Sequence, residues 1–261
     1  MKFTSIMAAL AVSLALAAAA AGELRTEAVK YRHGDVELEG YLAYDDSFTG
    51  KRAGVLVIHE WWGLNDYVRG RANQLAGLGY VAFAADMYGG GVTARTAEEA
   101  AEMSGKYNRD RALMRARARA GLAVLTEHPL VDRGRVAAMG YCFGGGAVLE
   151  LARDGAPLRG VVSFHGSLST PSPGDAANIK GAVLVLHGAL DPFVTDKDIA
   201  AFKDEMTKGR VDWQLVMYGG AVHSFTNPAS GGDPSRGVAY DERADRRSWE
   251  AMEAFFEEIF R

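Results

Sequence analysis

One twelve-residue stretch limits what this chain can fold into. The residues Arg135-Val-Ala-Ala-Met139 form a short apolar run that stops at Gly140. Gly140-Tyr-Cys-Phe-Gly144 follows, with the chain's single cysteine, Cys142, at its centre. Ala147, Val148, Leu149, Leu151 and Ala152 then recur with helical spacing. The pattern predicts a strand, a sharp turn and a helix, with the cysteine at the apex. It is the G-x-S-x-G elbow with Cys in place of Ser. The glycines have a physical reason to be there. The apex residue is held in a strained conformation, and a side chain two residues before or after it would collide with a neighbouring strand or helix. The cysteine then stands at the N-terminus of a helix, whose dipole favours a thiolate.

The remaining chain is ordinary in bulk: 261 residues, 48% hydrophobic, 24% charged, with a formal net charge of −4. No basic patch interleaves with aromatics, which argues against nucleic acid as a partner. Arg109, Arg111, Arg115, Arg117 and Arg119 accompany a helical apolar stripe of Leu113, Met114, Leu122 and Leu125. They read as the solvated face of that helix.

At the N-terminus, Lys2, an apolar core from Ile6 to Leu16 and small residues from Ala17 to Ala21 have the layout of a signal peptide covering residues 1–21. The alternative is an uncleaved membrane anchor. Export would make the protein periplasmic or secreted, with no stable membrane insertion after cleavage. It would also make a lone cysteine informative, because structural cysteines in an oxidising compartment come in pairs.

Taken in order, Val29–Arg32 and Val36–Glu39 alternate apolar and polar residues as an edge hairpin. The continuous apolar run at 54–58 predicts a strand buried on both faces, 81–85 another buried strand, and further strands are expected at 136–139, 161–164, 183–186 and 213–217. Helices are expected over Leu64–Leu78, from a capped start at Thr96, over Arg109–His128, Gly145–Arg153, Phe193–Met206 and Asp241–Phe260. This alternation predicts a mostly parallel sheet covered by helices on both faces, in one domain over residues 22–261.

Reactive residues collect at the carboxyl ends of these strands, where parallel sheets hold their ligands. They are Glu60, Cys142, Asp191 in Leu186-His-Gly-Ala-Leu-Asp-Pro192, and His223 in Gly219-Gly-Ala-Val-His-Ser224. The order nucleophile, acid, histidine is that of the α/β-hydrolase fold. A free thiol is only a few per cent thiolate at neutral pH, so Cys142 needs a base, His223, and an orienting acid, Asp191. The backbone N–H groups of Phe143 and Trp61 are the expected oxyanion donors. Trp61, Trp62, Tyr88 and Phe225 are candidates for the pocket wall, with core packing as the competing reading.

His59, His165 and His187 also sit at strand ends. No metal-binding spacing connects them, and satisfied supporting histidines are expected, with no metal and no cofactor.

Gly-Tyr-Cys-Phe-Gly-Gly, His-Glu-Trp-Trp-Gly-Leu-Asn, Asp-Met-Tyr-Gly, His-Gly-Ala-Leu-Asp-Pro and His-Ser-Phe together resemble the dienelactone hydrolase family, over about Val36 to the C-terminus. The resemblance implies an α/β-hydrolase fold and a Cys142–Asp191–His223 triad acting through an acyl-thioester. It also implies that Glu60 holds the resting thiol until substrate arrives. Well-known members grip a substrate carboxylate with arginines; here Gly89-Gly90 and Asn227 stand at those positions, and Arg95 and Arg236 are not placed by motif. The expected substrate is therefore a small lactone or ester, not dienelactone in particular, and the expected state is a monomer. A broad carboxylesterase or thioester hydrolase is the alternative enzyme. A periplasmic ligand-binding or thiol-sensing module is the non-enzyme alternative.

Overall fold

The computed structural model describes residues 22–261. The expected signal segment, 1–21, lies outside them. Among the described residues no helix is long and apolar enough to cross a membrane.

Eight strands form one sheet: β1 Leu24–His33, β2 Val36–Asp45, β3 Arg52–Ile58, β4 Val81–Ala85, β5 Val131–Tyr141, β6 Gly160–Phe164, β7 Ala182–Gly188 and β8 Trp213–Tyr218. Their order is β1-β2-β4-β3-β5-β6-β7-β8. The first hairpin and the β2–β4 pair are antiparallel, and every other pair is parallel. Six helices cover it: α1 Asp66–Gly77, α2 Ala97–Arg109, α3 Arg111–Glu127, α4 Phe143–Arg153, α5 Asp196–Lys208 and α6 Glu242–Ile259.

Strand periodicity sorts the core into two layers. Leu56, Ile58, Phe83 and Ala138 face the side that packs on α3, α4 and α5. Val55, Val57, Ala84 and Met139 face the side that packs on α1 and α6. This is the expected mostly parallel α/β-hydrolase sheet, with β3, β4 and β6 buried along their length; β8 is an edge strand and part-exposed, as is β1.

Element ends differ from the sequence expectation where a cap decides them. α1 starts at Asp66 because the Asn65 side chain accepts from the Val68 N–H, which leaves Leu64 outside the helix. α5 starts at Asp196, not Phe193, because Thr195 and Asp198 form a capping box. Phe193 thereby stays on the loop. α4 begins at Phe143, directly after the cysteine.

The arginine series is not a solvated face. Only Arg109 is exposed; Arg117 is buried, Arg115 pairs with Glu150 and Asp175, and Arg119 pairs with Asp154. α4 and its acids cover this side of α3, a tertiary contact that helical periodicity cannot report. Glu150 also bonds Arg153, which is fully buried and bidentate to Glu205 of α5 at 2.7 and 2.9 Å. Such a pair is strongly destabilising to break from one side, since the remaining charge is left buried.

Candidate active site

The site is built around the turn from β5 to α4. Cys142 has φ 52° and ψ −113°, a left-handed conformation that a β-carbon makes costly. The glycines are required by contact. A Cβ on Gly140 would strike the Gly144 carbonyl, and one on Gly144 would strike the Ile58 and His59 carbonyls of the neighbouring strand end. The Cys142 N–H is tied to Phe164 O at 3.0 Å, anchoring the apex to β6.

Three side chains from three strand ends meet there. His223 Nε2 lies 3.1 Å from Cys142 Sγ, and His223 Nδ1 lies 2.8 Å from Asp191 Oδ2. Burial works to lower the His223 pKa; the charge of a Cys142 thiolate and the hydrogen bond to Asp191 outweigh it and push the pKa up to about 10. Phe193, on the loop before α5, stands edge-on to the His223 ring with centroids 5.2 Å apart.

Glu60 occupies the end of β3. The resemblance implied a contact between this carboxylate and the resting thiol. Here its oxygens accept instead from Ser224 Oγ at 2.8 Å and Asn227 Nδ2 at 2.6 Å, while the thiol faces His223. Burial raises the Glu60 pKa, and these two hydrogen bonds oppose the rise.

The Glu60–Trp61 peptide is fixed from its carbonyl side. His59 Nδ1 donates to Glu60 O at 2.5 Å, and the Gly63 N–H donates to the same oxygen at 3.3 Å. The trans peptide therefore directs the Trp61 N–H the opposite way. His59 Nε2 accepts from the Met87 N–H at 3.3 Å. Burial lowers the His59 pKa, so the ring is neutral, one nitrogen donating and the other accepting. Among the described residues neither the Trp61 nor the Phe143 N–H bonds to another group.

A second layer of bonds holds the loop that carries His223. Tyr67 Oη lies 2.6 Å from Thr226 Oγ1, which lies 2.7 Å from His165 Nε2. Arg71 donates to Thr226 O at 2.7 Å and pairs with Asp245 at 2.5 Å. Burial, together with the charges of His223, His187 and Arg71, lowers the His165 pKa well below the usual value, so His165 is neutral. The expectation of satisfied histidines holds for His59 only. His165 Nδ1 and His187 Nδ1 have no partner among the described residues.

A cavity of about 880 Å³ opens over Cys142. Trp61, Trp62, Phe143 and Phe193 supply apolar wall; Glu60, Ser224 and Asn227 supply a polar one. Among the described residues, Arg95 is the one lysine or arginine along it, on the exposed loop before α2; Arg236 is not part of the wall.

Two residues expected in the wall are elsewhere. Phe225 is fully buried, 5.2 Å from His165 and 5.5 Å from Tyr218, because the left-handed turn at Ser224 (φ 59°) gives residue 224 to the site and 225 to the core. Tyr88 lies behind the wall, its ring against His59, Phe143 and Tyr107 and its hydroxyl donating to Trp61 O at 2.9 Å. Residues that sequence reading did not single out are Ser224, Thr226, Tyr67, Arg71 and Phe193. Asn227 was visible only as a departure from the family pattern.

The dienelactone hydrolase family model matches residues 38–260. The solved structure of m3DLH is 44% identical, covers 91% of this chain and 99% of its own, and superposes with a TM-score of 0.88. A dienelactone hydrolase-like promiscuous phosphotriesterase from metagenomic libraries is also 44% identical, with the same coverage and a TM-score of 0.86. A dienelactone hydrolase from Anabaena variabilis shares the fold at 23% identity and a TM-score of 0.65, over 91% of this chain and 99% of its own. With that match and the α/β-hydrolase sheet beneath it, the chain belongs to the dienelactone hydrolase family and is a hydrolase.

Proposed function

We propose that this hydrolase cleaves small neutral carboxylic esters or lactones, with Cys142 as nucleophile, His223 as base and then acid, and Asp191 as the group that orients it. The observation that carries the reading is the continuous line Asp191 Oδ2–His223 Nδ1 and His223 Nε2–Cys142 Sγ, 2.8 and 3.1 Å. The thiolate attacks the ester carbonyl carbon. The oxyanion takes the N–H groups of Phe143 and Trp61, each such donor being worth about 3 kcal/mol of barrier. The imidazolium gives its proton to the departing alkoxide, leaving an acyl-thioester. Water then attacks the thioester carbonyl, His223 takes its proton, and the acid leaves as the thiol is restored.

Neutral substrates are favoured because the polar wall beside Cys142 carries a carboxylate and amide but no lysine or arginine. A neutral phosphotriester is a second reading, supported by the 44% identity to a promiscuous phosphotriesterase.

Cys142→Ala should abolish turnover of an aryl ester, such as p-nitrophenyl acetate, while leaving the melting curve near that of the wild type. Turnover that survives this substitution overturns the mechanism. Paraoxon hydrolysis in the same two proteins tests the second reading.

Residues 1–21 support export to the periplasm or medium. Sequencing the N-terminus of the exported protein should begin near Gly22; a chain kept intact in the cytoplasmic fraction overturns this.

A further inference from the structure

Glu60 is a buried carboxylate on the wall of the reaction cavity, yet it touches neither the thiol nor a cation. β3 and β5 pair Ile58 with Gly140, so Glu60 and Cys142, each two residues further on, stand side by side at adjacent strand ends. A carboxylate in that position is an electrostatic hazard. Facing the sulfur, it would disfavour the thiolate as a like charge and compete with His223 for the thiol proton.

The structure shows what holds it off. Asn227 Oδ1 accepts from the Ala229 N–H at 3.0 Å, which orients the amide so that Nδ2 faces Glu60 Oε2. Ser230 Oγ donates to Ser224 Oγ at 2.9 Å, which turns the Ser224 proton toward Glu60 Oε1 at 2.8 Å. Both carboxylate oxygens are thus committed to neutral donors on the His223 loop. Glu60, Ser224 and Asn227 are all buried, so these bonds do not compete with bulk water.

We propose that Asn227, assisted by Ser224, is a positioning residue that fastens Glu60 to the His223 loop, so that Cys142 is paired with His223 before any substrate enters. This rests on the reading of Cys142 and His223 given above. It departs from what the family resemblance implies, in which the glutamate holds the resting thiol and substrate releases it. A neutral clasp has no charge for an anionic substrate to displace, which matches a polar wall beside Glu60 that carries Ser224 and Asn227 and, among the described residues, no lysine or arginine. The ionisable groups around the sulfur are His223 from the loop after β8, Glu60 from the end of β3, and Tyr88 from the loop after β4. Burial and the thiolate charge keep Tyr88 protonated.

The test reads the thiol directly. The rate of iodoacetamide alkylation is measured from pH 5 to 10 in the wild type, Asn227→Ala, Ser224→Ala, and Asn227→Ala combined with Glu60→Gln. The wild type, with Cys142 paired to His223, sets the reference profile. Asn227→Ala should lose about tenfold in rate at pH 7, with the profile moved up by about one pH unit. Ser224→Ala should move the same way by less.

Adding Glu60→Gln to Asn227→Ala should restore the wild-type profile, because the charge that the clasp restrained is gone. A purely structural role for Asn227 would not be rescued at Glu60. An unchanged profile in both single variants, or no rescue in the double one, overturns the proposal. Failure of the proposed function is a separate result: it would appear as ester turnover surviving Cys142→Ala, whatever the alkylation profiles show.

Discussion

The two loops that bring Cys142 and His223 together are fixed by different means. The elbow is held by absence. Gly140 and Gly144 leave room for backbone to touch backbone, and the Cys142 N–H bonds to a main-chain carbonyl of β6. The His223 loop adds side chains to a backbone bridge between His223 and Val238: Ser224 and Asn227 on Glu60, and Thr226 between Tyr67 and His165, with Arg71 on its carbonyl. The first device tolerates no change of size. The second tolerates change in steps, because each bond can be lost singly. A nucleophile on a strained turn needs the rigid device, whereas a base that must take and return a proton is served by one that can be tuned.

The sharpest break in that comparison comes from Gly144→Ala. The new methyl group would overlap main-chain atoms of Ile58 and His59, which belong to a central strand and cannot step aside. Overpacking costs typically about 1–3 kcal/mol where side chains can adjust, and more is expected where backbone must move. Little soluble folded protein should be recovered. A variant with a wild-type melting curve would show that the elbow is looser than its contacts indicate.

This contrast also explains what the sequence could reveal. Glycines at i−2 and i+2 of a cysteine, after an apolar run, are a local signal with a steric meaning, so the elbow, its strand and its helix are readable from twelve residues. Asp191 and His223 are readable because strands end just before them, β7 buried and β8 at the sheet edge. The side-chain lattice around the histidine is not readable this way. Tyr67 and Arg71 lie on α1, more than 150 residues from Thr226, and nothing in their spacing marks them.

Phe225 faces the core and not the cavity for a related reason. One left-handed residue, Ser224, reverses which neighbours face the cavity, and a serine gives no warning of positive φ. The arginines of α3 read as surface because helical periodicity sees one helix, while their partners Glu150 and Asp154 lie on or just after another.

A milder break is Thr226→Val, which keeps the volume and removes the hydroxyl. It leaves Tyr67 Oη and His165 Nε2 buried without their shared partner, at about 1–3 kcal/mol for unsatisfied groups. Melting should fall by several degrees, yet the protein should fold. Ester turnover should drop in kcat more than it changes KM, because the loop presents a base and not a substrate contact. Wild-type kcat in this variant would mean that the bonds to Glu60 and the Arg71 bond to the Thr226 carbonyl hold the loop without the Thr226 hydroxyl.

The smallest effect is a dependence on pH that only one of the two loops can show. The elbow's backbone contacts carry no proton, so the defect of Gly144→Ala is the same at every pH. His223 does carry one, and its folded pKa of about 10 lies above the ordinary value of 6.5. Below pH 6.5 both folded and unfolded chains hold the proton, and the stabilisation is complete. Between 6.5 and 10 only the folded chain holds it, so the stabilisation falls as pH rises and is lost through pH 10. Unfolding free energies by urea, wild type minus His223→Gln, should therefore decline across that window. The decline should be modest, since a buried charge pair returns little beyond its desolvation cost. Cys142→Ser should flatten it further, because the thiolate is the largest influence holding the proton on His223. A difference that stays level from pH 6 to 10 would mean that His223 is held by packing, as the elbow is, and that the two loops are less different than their contacts make them.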